Sequence, residues 1–412
     1  MARESKADQR YRLLVADRTR ALLDAGHLGY HEGETSDYFY RPAELCVSVA
    51  ALDVLADQLH DLGAVELERP DGLGMVSLRL PAQHDVHETV QLLRKDGGVG
   101  ADAVGPHHVL FGAPRMHGCP GRPPSAGVPV DPPADEHAGK GVLIAVLDTG
   151  QAEESLGGAW AAAHVRPGAE LDRLDTDGDG RLDFIAGHGT FVTGIISQIA
   201  PGAQVLVLAP LTPQGITDDL TAAKAVLQAR QQGATVLNLS FGGYTDSDAP
   251  PLALLGALSG SQDPQAPVAV AAAGNDGGSR PFYPAALPGV IAVAALNASG
   301  RRSGFSNFGD WVEACASGDR ILSTFVTGEV ETDSDGDGSP DVFQDPWAYW
   351  SGTSFAAPQV AAALAVRMSE TGETAQEAAQ SLVRAVTNVR RPGIGTHVPT
   401  AVPSHRSAPG RP

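Results

Sequence analysis

Three short segments of this chain set an acid, an imidazole and a hydroxyl beside glycine, and together they could carry out nucleophilic chemistry. Leu147-Asp148-Thr149-Gly150 closes an apolar run, so Asp148 falls at a strand end. Gly187-His188-Gly189-Thr190 opens a segment whose apolar residues Phe191, Ile195 and Ile196 have helical spacing, which leaves His188 approachable between two glycines. Gly352-Thr353-Ser354-Phe355-Ala356-Ala357-Pro358 runs into the Ala-rich helical stretch Val360–Val366. Ser354 is therefore expected at a helix N-terminus, where developing negative charge meets the positive end of the helix dipole. Each segment also has a plain structural reading: a strand-ending turn, a packed histidine, an N-cap serine.

Two acidic loops nearly repeat one another. Asp175, Asp177, Asp179 and Asp183 occupy the first, third, fifth and ninth places of one; Asp333, Asp335, Asp337 and Asp341 occupy those places of the other. Gly180 and Gly338 stand sixth in each, allowing the sharp turn that lets carboxylate oxygens converge on a hard cation. These features resemble an EF-hand or thrombospondin-type calcium loop, although the twelfth places hold Ala186 and Gln344 instead of an acid. Four close carboxylates repel without a counter-ion, which favours up to two Ca²⁺ sites over solvated acidic turns. No organic cofactor is expected.

The elements that must position these groups fall into two sets. From Gly141 onward, Leu143–Leu147, Val205–Leu208, Val236–Leu239, Val268–Ala272 and Val290–Ala294 are continuous apolar runs. Strands without inside/outside alternation are covered on both faces, so they predict an α/β domain with a doubly wound, mostly parallel sheet and helices on both faces. Thr217 is expected to cap a helix over 218–232. Residues 43–114 read as a smaller α/β unit of order βαββαβ: a strand at Leu45–Ala50, a helix over 51–62, strands at Ala64–Glu68 and Gly74–Leu80, a helix from about 84 to 96, and a strand at His107–Phe111. The Pro/Gly-rich stretch within 115–140 reads as a linker, the catalytic-type pattern spans 141–390, and the proline-punctuated basic tail 391–412 reads as disordered. Residues 1–42 carry no assignment.

In wording and in the order Asp, His, Ser, the three segments resemble the subtilisin-like serine proteases (subtilases, peptidase family S8). The resemblance extends to Asn238-Leu239-Ser240-Phe241-Gly242-Gly243, Ala272-Ala273-Gly274-Asn275, Tyr283-Pro284-Ala285 and Ser306-Asn307-Phe308-Gly309. It implies a subtilisin-like fold and a serine endopeptidase working through an acyl-enzyme. Ser354 would be the nucleophile, His188 the general base and acid, Asp148 its orienter, and Asn275 an oxyanion donor. Ser240, Phe241, Gly242 and Gly243, with Ala272, Ala273 and Gly274, would line the substrate site. The resemblance also gives the βαββαβ unit, ferredoxin-like in order, the meaning of a propeptide that assists folding and inhibits until cleaved between Phe111 and Lys140. A calcium-binding interaction protein on the same scaffold with little turnover, or a dedicated maturation protease or transpeptidase, are the competing readings.

Composition bounds the partners. The 412 residues carry a formal charge of −20, which excludes binding to nucleic acid through a basic face. No apolar run approaches the roughly 20 residues that span a bilayer. A peptide or protein substrate and a monomer are the expectation, with no membrane partner. Cys46, Cys119 and Cys315 are too widely spaced for a CxxC site. The charged N-terminus lacks a signal-peptide core, so the chain reads as cytoplasmic at face value; calcium loops and a propeptide fit a secreted protein whose leader is missing.

Overall fold

The computed structural model describes residues 6–33, 37–112, 123–152, 164–166, 170–258, 265–333, 337 and 339–400. Strands β1 (Gly29–His31), β2 (Tyr38–Ser48), β3 (Val65–Glu68), β4 (Met75–Arg79) and β5 (Val104–Phe111) belong to the N-terminal part, with β6 (Ser125–Ala126) following. The sheet order is β3-β4-β2-β5, with β1 added along β2. Helices Leu52–Asp61 and Val86–Gly97 cover one face through Leu55, Leu59, Val86, Val90 and Leu93, which pack on Leu45, Val47, Val76 and Leu78. Asp85 caps the second helix, accepting from the Glu88 N–H, and Gly98 ends it in the left-handed conformation. The sheet reaches beyond the expected boundary at residue 43. Helix Lys6–Asp24 and β1 occupy the segment that carried no assignment.

The larger domain is built on β7 (Leu143–Leu147), β8 (Gln204–Leu208), β9 (Ile216–Asp218), β10 (Val236–Leu239), β11 (Val268–Ala272), β12 (Ile291–Leu296) and β13 (Ala314–Ser317). After these come β14 (Ile321–Thr324), β15 (Gly328–Glu329), β16 (Val342–Phe343), β17 (Trp347–Trp350), β18 (Arg390–Arg391) and β19 (Gly395–His397). The main sheet runs β18-β19-β13-β12-β11-β10-β7-β8, parallel except for β18. Its apolar runs are buried on both sides. Ile144, Val146, Val236 and Val270 face the helices His188–Ile199 and Ala357–Thr371, whereas Ala145, Leu147, Leu237 and Ala271 face Asp219–Gln231 and Leu252–Leu258. The doubly wound, mostly parallel α/β fold is the one the sequence predicts.

Three local expectations are corrected. The helix at 219 is capped by Asp218, not Thr217: the Asp218 carboxylate accepts from the Thr221 N–H at 2.8 Å, while Thr217 lies within β9. The expected linker contributes β6, which pairs with β17 and covers the strand leading to Ser354. Part of the expected disordered tail is structured. β19 joins β13, with the Thr396 N–H donating to Glu313 O, because Ile394 and Val398 find buried apolar positions. Cys46 and Cys315 are free and buried, and Cys119 lies outside the described residues.

Candidate active site

Asp148 follows the carboxyl end of β7, the sheet edge where doubly wound folds place their sites. Its Oδ1 accepts from the Thr149 N–H (2.8 Å) and from His188 Nδ1 (2.7 Å). The carboxylate at Nδ1 fixes the tautomer, leaving Nε2 as the basic nitrogen. His188 begins its helix directly after Gly187, whose φ of 79° turns the chain into the helix. The two loops meet backbone to backbone: a Cβ on Gly189 would lie 2.2 Å from Gly150 O, so no side chain fits there. Rings of Trp350 (centroid 5.4 Å) and Phe355 (5.3 Å) wall the imidazole.

Asp172, which sequence reasoning missed, ties the same two loops together. Its Oδ2 accepts from Thr149 Oγ1 (2.9 Å) and from the Gly187 N–H (2.8 Å), and Thr149 Oγ1 in turn accepts from the Gly189 N–H. Burial pushes the Asp172 carboxyl up to about 7; the two hydrogen bonds pull it down, the Asp148 charge adds to the rise, and His188 opposes it. A lone aspartate between Leu171 and Arg173 carries no sequence signal for this role.

Ser354 sits in a 3-10 turn, Thr353–Phe355, just ahead of the helix Ala357–Thr371 and not within the helix itself. Its hydroxyl donates to Ser240 O at 3.3 Å, and Ser240 Oγ donates back to Ser354 O at 2.9 Å. Asn238 Nδ2 donates to Ser240 Oγ. Asn275 Oδ1 accepts both the Thr353 N–H (2.8 Å) and the Thr353 hydroxyl (2.9 Å). This fixes the amide, with Nδ2 lying 3.6 Å from where a Gly352 Cβ would stand. Asp148, His188, Ser354 and Asn275 thus come from four distant stretches to one sheet edge.

The expected substrate segments flank it. Gly242 exchanges backbone hydrogen bonds with Phe111 of β5 (2.8 and 2.9 Å), and Gly243 bridges to Tyr283. β5 pairs on its other side with β9, Phe111 opposite Ile216, and the Gly112 N–H donates to Gly215 O. The end of the N-terminal domain therefore lies between two backbone stretches of the larger domain. Ala272 and Ala273 are buried at the end of β11, and Asn307 Nδ2 donates to Ala273 O at 2.9 Å.

The first acidic loop brings Asp175, Asp177 and Asp179 together, with carboxylate oxygens within 4.8 Å of one another. Asp183 turns instead to the Thr176 hydroxyl and N–H (2.6 and 3.0 Å). In the second loop Asp337 accepts from the Ser339 N–H and Asp341 from the Thr332 hydroxyl, Asp333 is described, and Asp335 lies outside the described residues. The loops adjoin: Leu182 bridges to Val330, and Arg181 pairs with Glu329.

The model of the subtilase family (Peptidase_S8) matches residues 139–397, and the chain belongs to that family. It is 33% identical over 269 residues to a thermophilic serine proteinase of Bacillus sp. (strain AK1), covering 58% of this chain and 61% of that protein. Identity to thermitase of Thermoactinomyces vulgaris is 31% over 226 residues, 54% of this chain and 73% of thermitase. The crystal structure of fervidolysin from Fervidobacterium pennivorans, described as a keratinolytic enzyme related to subtilisin, shares the fold. Its TM-score is 0.60 at 20% identity, covering 90% of this chain and 61% of that structure. The chain spans about three fifths of the length of the Bacillus proteinase and of fervidolysin.

Proposed function

We propose that this chain is a serine endopeptidase made as a zymogen and stabilised by calcium. The observation that carries the reading is the His188–Asp148 pair at 2.7 Å beside a serine held at a helix entrance. Ser354 Oγ turns from Ser240 O to His188 Nε2, gives up its proton there and attacks the scissile carbonyl. The imidazolium, held by Asp148, then protonates the leaving amine, and water repeats the sequence on the acyl-enzyme. Asn275 Nδ2 and the Ser354 N–H stabilise the oxyanion; one such donor contributes about 2.7–4 kcal/mol.

Zymogen character is supported by β5. Phe111 and Gly112 hold, through main-chain hydrogen bonds, the strand positions beside Gly242 and β9 that an extended substrate needs. Cleavage between Phe111 and Lys140 would release the block. Asp175, Asp177 and Asp179 fit Ca²⁺, since their oxygens already converge in a Gly-containing turn; when bound, the ion would neutralise their repulsion and brace the segment entering His188. The substrate is a peptide or protein chain, and the N-terminal domain is the intramolecular inhibitor.

Labelling by a fluorophosphonate tests the reading. One equivalent on Ser354, lost in Ser354→Ala together with peptide hydrolysis while the fold persists, is expected. A folded chain that takes no label even after cleavage has released the N-terminal domain would instead fit a calcium-binding scaffold.

A further inference from the structure

A second cluster of chemically capable side chains lies where the N-terminal domain meets the larger one. Cys46 comes from β2, His107 from β5, and Asp219 is the first residue of the helix Asp219–Gln231. All three are buried, Asp219 completely. One donor atom from each lies within 4.8 Å of the other two. His107 Nδ1 is 2.9 Å from Glu44 Oε2, the arrangement by which a carboxylate orients a metal-binding histidine and leaves Nε2 free. That Nε2 lies 3.3 Å from Asp219 Oδ1 and 3.2 Å from Asp218 Oδ1, at ion-pair distance from both but well aligned for a hydrogen bond with neither, and the Asp219 oxygens have no well-aligned side-chain donor.

A protonated His107 offers a single Nε2–H, which can satisfy only one of these acceptors. At least one buried Asp219 oxygen would still lack a well-aligned partner, which is costly for a charged group. One divalent cation answers all of them. Tetrahedral bonds of about 2.0–2.1 Å give donor–donor edges of about 3.4 Å, close to the two spacings at Nε2. A thiolate and an imidazole select zinc over the hard ion suited to the acidic loops. Asp218, already held by the Arg41 fork on Oδ2 and the Thr221 N–H on Oδ1, is positioned by both contacts.

We propose that Cys46, His107 and Asp219 bind one zinc ion, with Asp218 Oδ1 closing the coordination, so that the metal clamps the N-terminal domain to the larger domain. Two ligands come from each side of that contact. Binding displaces two protons to solvent, one from the Cys46 thiol and one from the His107 ring, which, despite burial, Asp218, Glu44 and Asp219 otherwise hold protonated. The clamp is separate from the peptidase site and stands whether or not the chain turns over.

The test uses the full chain carrying Ser354→Ala, so that it remains uncut. Chelator-stripped protein is titrated with Co²⁺ and with Zn²⁺. One equivalent of Co²⁺ should produce a thiolate-to-cobalt charge-transfer band, which the oxygen-only acidic loops cannot give, and one equivalent of Zn²⁺ should displace it. Cys46→Ala should abolish the band and that zinc equivalent with the far-ultraviolet spectrum unchanged. Glu44→Gln, which keeps every ligand, should weaken zinc about 10–100-fold. Cobalt binding without a thiolate band, or equal zinc affinity and stoichiometry with and without Cys46, would overturn the proposal.

Discussion

Replacing Asp172 by asparagine should remove a pH dependence built into the junction between the Asp148 and His188 loops. The carboxyl moves from 3.8 to about 7 on folding. The folded state therefore binds more protons than the unfolded state between about pH 4 and 7. Stability contributed by this group is greatest in acid and falls as pH rises through that window, flattening above 7. The whole shift, about three pH units, corresponds to about 4 kcal/mol; the part lost between pH 5 and 8 is about 3 kcal/mol. Asparagine keeps one oxygen to accept from Thr149 Oγ1 and the Gly187 N–H, and sets its NH₂ where the unpaired Oδ1 stands. Melting curves of Ser354→Ala chains with and without Asp172→Asn, at fixed calcium, read the effect. The Asn chain should gain on its parent by roughly 3–6 °C more at pH 8 than at pH 5, taking about 1–2 °C per kcal/mol for a chain of this size. An equal gap at the two pH values would refute the burial argument.

Asn275→Ala should lower kcat by about 10²–10³ with little change in KM in a peptide hydrolysis assay, since the proposed oxyanion donor Nδ2 is lost together with the Oδ1 contacts that hold Thr353 beside Ser354. Phe111→Asp would set a charge among Leu28, Phe39, Val109 and Ile216; onset of activity after refolding should come sooner, followed by N-terminal sequencing and a fluorogenic peptide. A calcium-selective chelator should lower the melting temperature of the parent chain and leave that of Asp177→Asn/Asp179→Asn nearly unchanged.

The central sheet was legible because its strands are buried on both faces. Leu143–Leu147, Val236–Leu239 and Val268–Ala272 have the same ends in sequence and structure, since an apolar run stops where burial stops. β19 was not legible. Gly395-Thr396-His397 sits among Pro392, Gly393 and Pro399, and becomes a strand only because β13 and the Glu313 carbonyl just before it offer a pairing edge. The cap at 218 turned on a competition between adjacent residues that local sequence leaves undecided: both Thr217 and Asp218 pair with β5, but the strand runs on through Asp218, which therefore abuts the helix and accepts from the Thr221 N–H. At the site, residues named by short motifs were readable. Asp172 and the Cys46–His107–Asp219 group depend on loops and domains that meet only in three dimensions.

The pairing of β5 with β9 also bears on how the chain avoids sticking to its neighbours. Without β5, Ile216–Asp218 would present unpaired N–H and C=O groups, a template on which any extended chain can dock, including another partly folded copy. The domain that covers this edge is synthesised first and is present before β9 emerges. The strand is only three residues long and ends in the acid Asp218, and short, charged edges discourage lasting association once a cover departs. The fold thus keeps the edge proposed to receive substrates while limiting its ability to seed aggregation.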